Sequence, residues 1–249
     1  MHTKARGTIY PNTNVKRFPV PDDMVPWDEP FPGYEPVKFT SQHILDGPVY
    51  ADPDIRNPRG RTGITGRGAL GRWGPNHAGD PIVTRWKHTS EGHKFYKNDK
   101  PILEFVAIKR RDNGQWAIPG GMVDPGDSVS NTLRKEFGEE ALNSMEASEE
   151  ERKELSNTVN ELFKGGDMIY KGYVDDPRNT DNAWMETIAV NFHDDTGKAF
   201  DRVTLEAGDD AGAVKWMAIS HELNLYANHV DMIYQAVLLH QAYLPTQNE

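Results

Sequence analysis

Apolar positions change their period along this chain, and each change marks an element. Leu103–Lys109 is a short apolar run between Pro101 and the turn-like Asp112-Asn113-Gly114, which predicts a strand. Trp116–Ile118 predicts a second, shorter strand that stops at Pro119-Gly120-Gly121. From Ser128 to Leu142 the apolar residues recur at Val129, Leu133 and Phe137, the spacing of one helix face. Ser148–Phe163 predicts another helix, with Ser148 as N-cap and Glu149, Glu150 and Glu151 in a first turn where the helix dipole favours anions. Met168–Val174 and Trp184–Phe192 read as strands on either side of the polar loop Asp175–Asn182, with Trp184 expected in the core. Asp194–Gly197 reads as a turn, Val214–Ile219 as a further strand, and Val230–Tyr243 as a closing helix with apolar spacing at Ile233, Ala236, Val237 and Leu239.

The first third of the chain has a different texture. Ten of the 17 prolines fall within Pro11–Pro58. Proline fixes φ and removes an amide donor, so extended segments and turns are expected there. The interleaved Trp27, Phe31, Tyr34, Phe39 and Tyr50 predict that this stretch packs, since a disordered linker is poor in aromatics. Gly60–His77 is rich in glycine and reads as irregular backbone, where Arg61, Arg67 and Arg72 could face an anion but such residues are more often solvated or paired with local carboxylates. The organisation that follows is an α/β protein in two parts: a proline- and glycine-rich N-terminal domain over residues 1–80 and a mixed α/β domain over 81–249.

Composition narrows the chemistry. With 28 Lys+Arg against 38 Asp+Glu the formal net charge is −10, which disfavours non-specific nucleic-acid binding. The longest apolar runs are too short to cross a bilayer, so this segment is not expected to insert into a membrane, and the polar Met1–Arg6 carries no signal-peptide pattern. There is no cysteine, which excludes disulfides, thiol catalysis and thiolate metal sites; any metal must sit on oxygen or imidazole.

The most informative stretch is Gly120–Leu142. On a helix, Glu136, Glu139 and Glu140 stand at i, i+3 and i+4, so three carboxylates share one face. Like charges at that spacing repel unless something compensates. Asp127 adds a fourth acid at the helix start, and Gly120 and Gly121 offer carbonyls that no side chain obstructs. Clustered hard oxygens suit Mg²⁺, with Mn²⁺ as a substitute, and point to metal-assisted attack of water on a phosphoanhydride. Taken alone, such an acidic string is more often a solvated helix face.

The segment resembles the Nudix box, G-x5-E-x7-R-E-U-x-E-E-x-G-U with U a bulky aliphatic residue. Gly121, Glu136, Phe137, Glu139 and Glu140 fall on its positions; Asp127 replaces the first Glu, Lys135 the Arg, and Leu142 the late Gly. Lys keeps the charge of Arg and loses its bidentate fork. Tyr170–Glu186 and Gly60–Lys87 resemble the ADP-ribose pyrophosphatase branch of the family. The opening, Arg17–Pro21 through Trp27, with Leu225–His229, is similar to the C-terminal homology domain of the ADP-ribose-gated melastatin-type cation channels.

The resemblance implies a Nudix α/β/α sandwich with a mixed sheet and Mg²⁺-dependent hydrolysis of ADP-ribose to AMP and ribose 5-phosphate. Glu136, Glu139 and Glu140 would bind metal with Gly120 or Gly121, and one of them, or Glu186, would be the general base. Asn76, Asp176, Arg178, Tyr226, Asn228 and His229 would contact the ligand. The implied setting is cytosolic, facing the cytoplasm at the plasma membrane if the chain is part of a tetrameric cation channel. A non-hydrolytic ADP-ribose sensor that gates such a channel is the alternative, and hydrolysis of another nucleoside diphosphate derivative a third reading.

Overall fold

The computed structural model describes residues 2–46, 55–124, 127–142, 148–197, 199, 205, 211–220 and 222–244, with the side chains of Glu140, Leu142 and Leu155 set aside. Tyr50 and the expected Pro125-Gly126 turn lie outside the described residues. The chain divides into two compact units, residues 1–77 with 172–187 and residues 78–171 with 188–249.

In the first unit, β1 (Val37–Thr40) is followed by a single helical turn, α1 (Gln42–Leu45), and pairs in parallel with β2 (Ile64–Gly68). The aromatics of the proline-rich stretch do pack: Phe18, Phe31 and Tyr34 meet at centroid distances of 5.4–5.8 Å, and Trp27 lies 6.4 Å from Tyr34. Arg61 sits among them, 4.7 Å from the Trp27 ring and 5.1 Å from Tyr34, and donates to the carbonyls of Met24 and Pro26. Arg67 is likewise buried and donates to the carbonyls of Gly71 and Ile44. Both arginines staple main-chain loops.

The glycine-rich segment departs from expectation, since it holds β2 and the start of β3 (Gly74–Trp86). Glycine weakens a strand unless another backbone must come close. That is the case here: a Cβ would stand 2.1 Å from the Phe18 carbonyl oxygen at Gly63 and 2.4 Å from that of Phe39 at Gly66, and both residues have positive φ.

The second unit is built on one sheet. After β3 come the small hairpin β4 (Tyr96–Lys97) and β5 (Lys100–Pro101), then β6 (Leu103–Arg110), β7 (Trp116–Ala117) and β8 (Gly121–Met122). Two helices follow, α2 (Val129–Leu142) and α3 (Glu149–Leu162), then β9 (Asp167–Val174), β10 (Ala183–Asp194), β11 (Ala211–Ala218) and α4 (His229–Leu239). The strand order is β11-β6-β3-β10-β9, with β7 attached to β6 and β8 to β3. β6 is antiparallel to both β11 and β3. Asn191 bonds the carbonyl of Ile82 and His193 bonds Thr84, partners that advance together along β3 and β10, so that pair is parallel and the sheet is mixed.

Alternation along the strands divides the core between the two faces. Ile82, Leu103 and Phe105 pack with Met232, Ile233 and Val237 of α4. Val83 and Val106 pack with Leu133 and Phe137 of α2, Val159 of α3, Phe163 and Phe192. Helices therefore cover both faces of an α/β sheet. The predicted N-cap of α3 is present as a capping box, Ser148 with Glu151. The closing helix ends at Leu239 rather than Tyr243, because Gln241 turns to a positive φ of 51°.

Candidate active site

The acidic helix is placed by its apolar face. Leu133, Phe137 and Ala141 of α2 are buried in the core, which fixes the rotation of the helix and so the direction of its glutamates. Gly79 of β3 pairs with Gly121 of β8, and these two glycines let α2 settle close. A Cβ on Gly79 would come 3.3 Å from Leu133, and one on Gly121 would lie 2.2 Å from the Glu136 carboxyl carbon. The Glu136 carboxylate thus lies against the main chain of the Gly120-Gly121 turn.

Glu139 follows one turn later on α2, and Glu140 is on the same helix with its side chain outside the description. Lys135, standing where the box has Arg, lies 3.5 Å from Asp124. The Glu139 carboxylate first, then Asp124, raises the Lys135 ammonium above its ordinary range. Lys135 therefore supplies a counter-charge that relieves the repulsion along the acidic stripe, although its exposure leaves it screened. Asp127 has another task. Its carboxylate accepts from the Ser128 amide at 2.8 Å and from the Asn131 side-chain amide at 3.0 Å, beside the cap of α2, where Ser128 Oγ accepts the Asn131 main-chain amide at 3.2 Å.

Sequence reasoning missed Asp80. This β3 residue is 6% exposed, and its Oδ1 fills the space a Gly120 Cβ would take, at 2.0 Å. Asp80 and Gly79 are successive on β3, so Asp80 meets the glycine turn from the sheet face opposite α2. The signal was a lone acid inside the otherwise apolar run Ala78–Val83.

Oxygen donors of this kind suit a hard divalent cation. Among the described residues no three His, Asp or Glu side chains stand together as a preformed cage. Mg²⁺ commonly takes one or two carboxylates and completes its shell with water and substrate phosphate. Glu136 held against a side-chain-free turn fits that use.

The remaining candidates are described unit by unit. In the first unit Asn76 is fully buried: its Oδ1 accepts from the Arg72 amide, and its Nδ2 donates to the carbonyls of Arg72 and Gly74. Asn76, a candidate ligand contact, locks the 72–76 turn. Asp176 is 2% exposed and grips Arg178 with both carboxylate oxygens, at 2.9 Å to Nε and 2.7 Å to Nη2, which leaves the guanidinium partly open to solvent. The pair was expected as two separate ligand contacts; the geometry makes Asp176 the holder of Arg178. Asp175 accepts the amides of Thr3, Lys4 and Ala5, tying the loop to the N-terminal segment. Trp184 is in the core, as expected, and its Nε1 donates to Glu186 at 2.9 Å.

In the second unit, Tyr226, Asn228 and His229 lead into α4. The Tyr226 amide donates to the Trp116 carbonyl, and the Arg110 guanidinium lies 4.4 Å over the Tyr226 ring. Asn228 occupies the N-cap position without a side-chain capping bond, and its Oδ1 is buried with no hydrogen-bond partner among the described residues. His229 is buried, and its Nδ1 accepts the Ile118 amide at 3.0 Å.

Comparison with known proteins agrees with this arrangement. The NUDIX domain family matches residues 95–234. The chain is 51% identical to "ADP-ribose pyrophosphatase, mitochondrial" of Rattus norvegicus, over 93% of this chain and 76% of that protein. It is 48% identical to "Transient receptor potential cation channel subfamily M member-like 2" of Nematostella vectensis and 32% identical to "Transient receptor potential cation channel subfamily M member 2" of Mus musculus. Each of those matches covers 97% of this chain, which spans 18% of the length of either channel protein. With its acidic helix laid on a glycine turn and these relatives, the chain belongs to the Nudix hydrolase family, in the branch that holds the rat mitochondrial enzyme.

Proposed function

We propose that this chain is an ADP-ribose diphosphatase, which adds water across the diphosphate of ADP-ribose to give AMP and ribose 5-phosphate. The observation that supports it best is the Glu136 carboxylate packed on Gly121 at the head of the Glu136, Glu139, Glu140 stripe. The rat relative named for this activity, matched over most of both chains, supports the choice of substrate. Mg²⁺, or Mn²⁺ in its place, held by these glutamates and a carbonyl of Gly120 or Gly121, would neutralise the diphosphate and acidify the attacking water.

The chain's own groups do the rest. One of Glu136, Glu139, Glu140 or Glu186 takes the proton from water, and the Trp184 bond orients Glu186 for that role if it is the base. Arg178 supplies cationic donors for phosphate or a purine face, oriented by Asp176. Tyr226 and Asn228 Oδ1 suit a ribose: a buried acceptor with no donor among the described residues gains a hydrogen bond when a sugar hydroxyl arrives. The test is the double substitution E139Q/E140Q, with AMP release followed by ion-exchange chromatography. Turnover is expected to fall by about a hundredfold or more, and unchanged turnover would remove the acidic stripe from the mechanism.

A second reading is favoured by the match to channel proteins over nearly the whole chain: an ADP-ribose-sensing domain of a cation channel, cytosolic and at the plasma membrane. Among the described residues no helix is long and apolar enough to cross a membrane. Calorimetry separates the readings, since a sensor binds ADP-ribose and returns it intact, whereas the enzyme yields AMP.

A further inference from the structure

Buried contacts converge on the turn that carries the two glycines. Glu136 lies against Gly121 and Asp80 against Gly120, and Nδ1 of His229 accepts the Ile118 amide at 3.0 Å. Pro119 has no amide hydrogen, so the Ile118 N–H is the last one the chain offers before Gly120. A bond there anchors the chain two residues ahead of Gly120. The anchor itself is rigid: His229 is 7% exposed, it opens α4, and the segment before it is bonded to β7 through the Tyr226 amide and a parallel bridge from Leu225 to Trp116. To accept from an amide, Nδ1 must keep its lone pair, so the ring is neutral and carries its proton on Nε2.

We propose that His229 is a positioning residue for the hydrolytic centre, acting through Nδ1 on the Ile118 amide to fix the Gly120-Gly121 carbonyls. The proposal rests on the reading of that turn as part of the hydrolytic site. It assigns this work of His229 to Nδ1. A displacement of about 1 Å in a catalytic constellation costs roughly a hundredfold in rate, which makes such an anchor consequential.

Two substitutions separate the ring nitrogens. In H229N the amide oxygen sits where Nδ1 was and still accepts from Ile118; in H229Q the polar atoms reach the position of Nε2. Amide hydrogen exchange at Ile118 is measured by NMR on the metal-free, ligand-free protein, alongside kcat and KM for ADP-ribose with Mg²⁺. H229N is expected to keep Ile118 protected and to recover most of the turnover lost in H229A. H229Q is expected to exchange at least about tenfold faster at Ile118 and to lose about tenfold or more in kcat, with KM little changed. The proposal is overturned if H229Q retains turnover while H229N loses it, or if Ile118 is no more protected in H229N than in H229A. If H229A does not fold, the Asn and Gln variants decide between themselves. The exchange measurement uses no substrate, so failure of the hydrolytic reading and failure of the His229 contact are separately visible.

Discussion

Replacing Gly121 by Ala tests whether the Glu136 carboxylate works where the structure puts it. The new Cβ would lie 2.2 Å from the Glu136 carboxyl carbon and 2.3 and 2.4 Å from its oxygens. Ordinary carbon contacts begin near ~3.5 Å, so the carboxylate must retreat by roughly 1.3 Å or swing to another rotamer. Because the obstacle is the end of a flexible side chain, the backbone need not move. An off-rotamer adjustment costs about 0.5–1.5 kcal/mol. Gly121 does not have a positive φ, so alanine also gains about 0.4–1 kcal/mol by restricting the unfolded chain. The two nearly cancel, and the thermal midpoint of G121A should stay within a few degrees of the parent. Catalysis has no such compensation: a shift of this size predicts about a hundredfold loss of kcat. The assay is steady-state AMP release at saturating Mg²⁺, paired with thermal unfolding monitored by circular dichroism. G121A with parental kcat would refute the placement of Glu136 at the centre. A large drop in stability would show that the backbone yielded instead of the side chain.

Further outcomes follow from the core and its titrating groups. F137A should cost about 3–5 kcal/mol in urea unfolding, since Phe137 is fully buried and meets Phe163 at 5.6 Å; a loss below ~1 kcal/mol would contradict that packing. G63A should lower the unfolding midpoint, because its Cβ would strike the Phe18 carbonyl at a positive φ and no side chain can give way; an unchanged midpoint would contradict the close approach. Burial, with His240 next, depresses the His193 imidazole from its ordinary 6.5 to about 4. Between those values the unfolded chain takes up a proton that the folded one refuses, so the stability is full above the unfolded pKa and is lost as pH falls through the window. Unfolding midpoints measured across that range should decline with acid, and the decline should be shallower in H193N.

The parts legible in the sequence were local ones. The acidic stripe, the α3 cap and the strands Leu103–Arg110 and Asp167–Val174 each depend on a single contiguous pattern, so period and capping chemistry sufficed. β2 and the start of β3 were hidden because Gly63, Gly66 and Gly74 read as breakers, whereas Gly63 and Gly66 admit neighbouring main chain and Gly74 lies against the Ile55 side chain. Asp80 stood out only as a lone acid in an apolar run, since its partner turn is about forty residues away and only the β3–β8 pairing brings them together. The bond between Asp176 and Arg178 was not legible, because an i, i+2 ion pair in a loop leaves no periodic trace. The same holds for His229, whose partner Ile118 is set by how α4 packs.

The central claim is chemical, and phosphorus NMR reads it most directly. With Mg²⁺ and ADP-ribose added to the purified protein, the two diphosphate resonances should give way to two monophosphate signals, those of AMP and ribose 5-phosphate, and should persist when E139Q/E140Q is used instead. Diphosphate resonances that broaden on binding yet never convert with the parent protein would contradict the account and leave a domain that holds its ligand without cutting it.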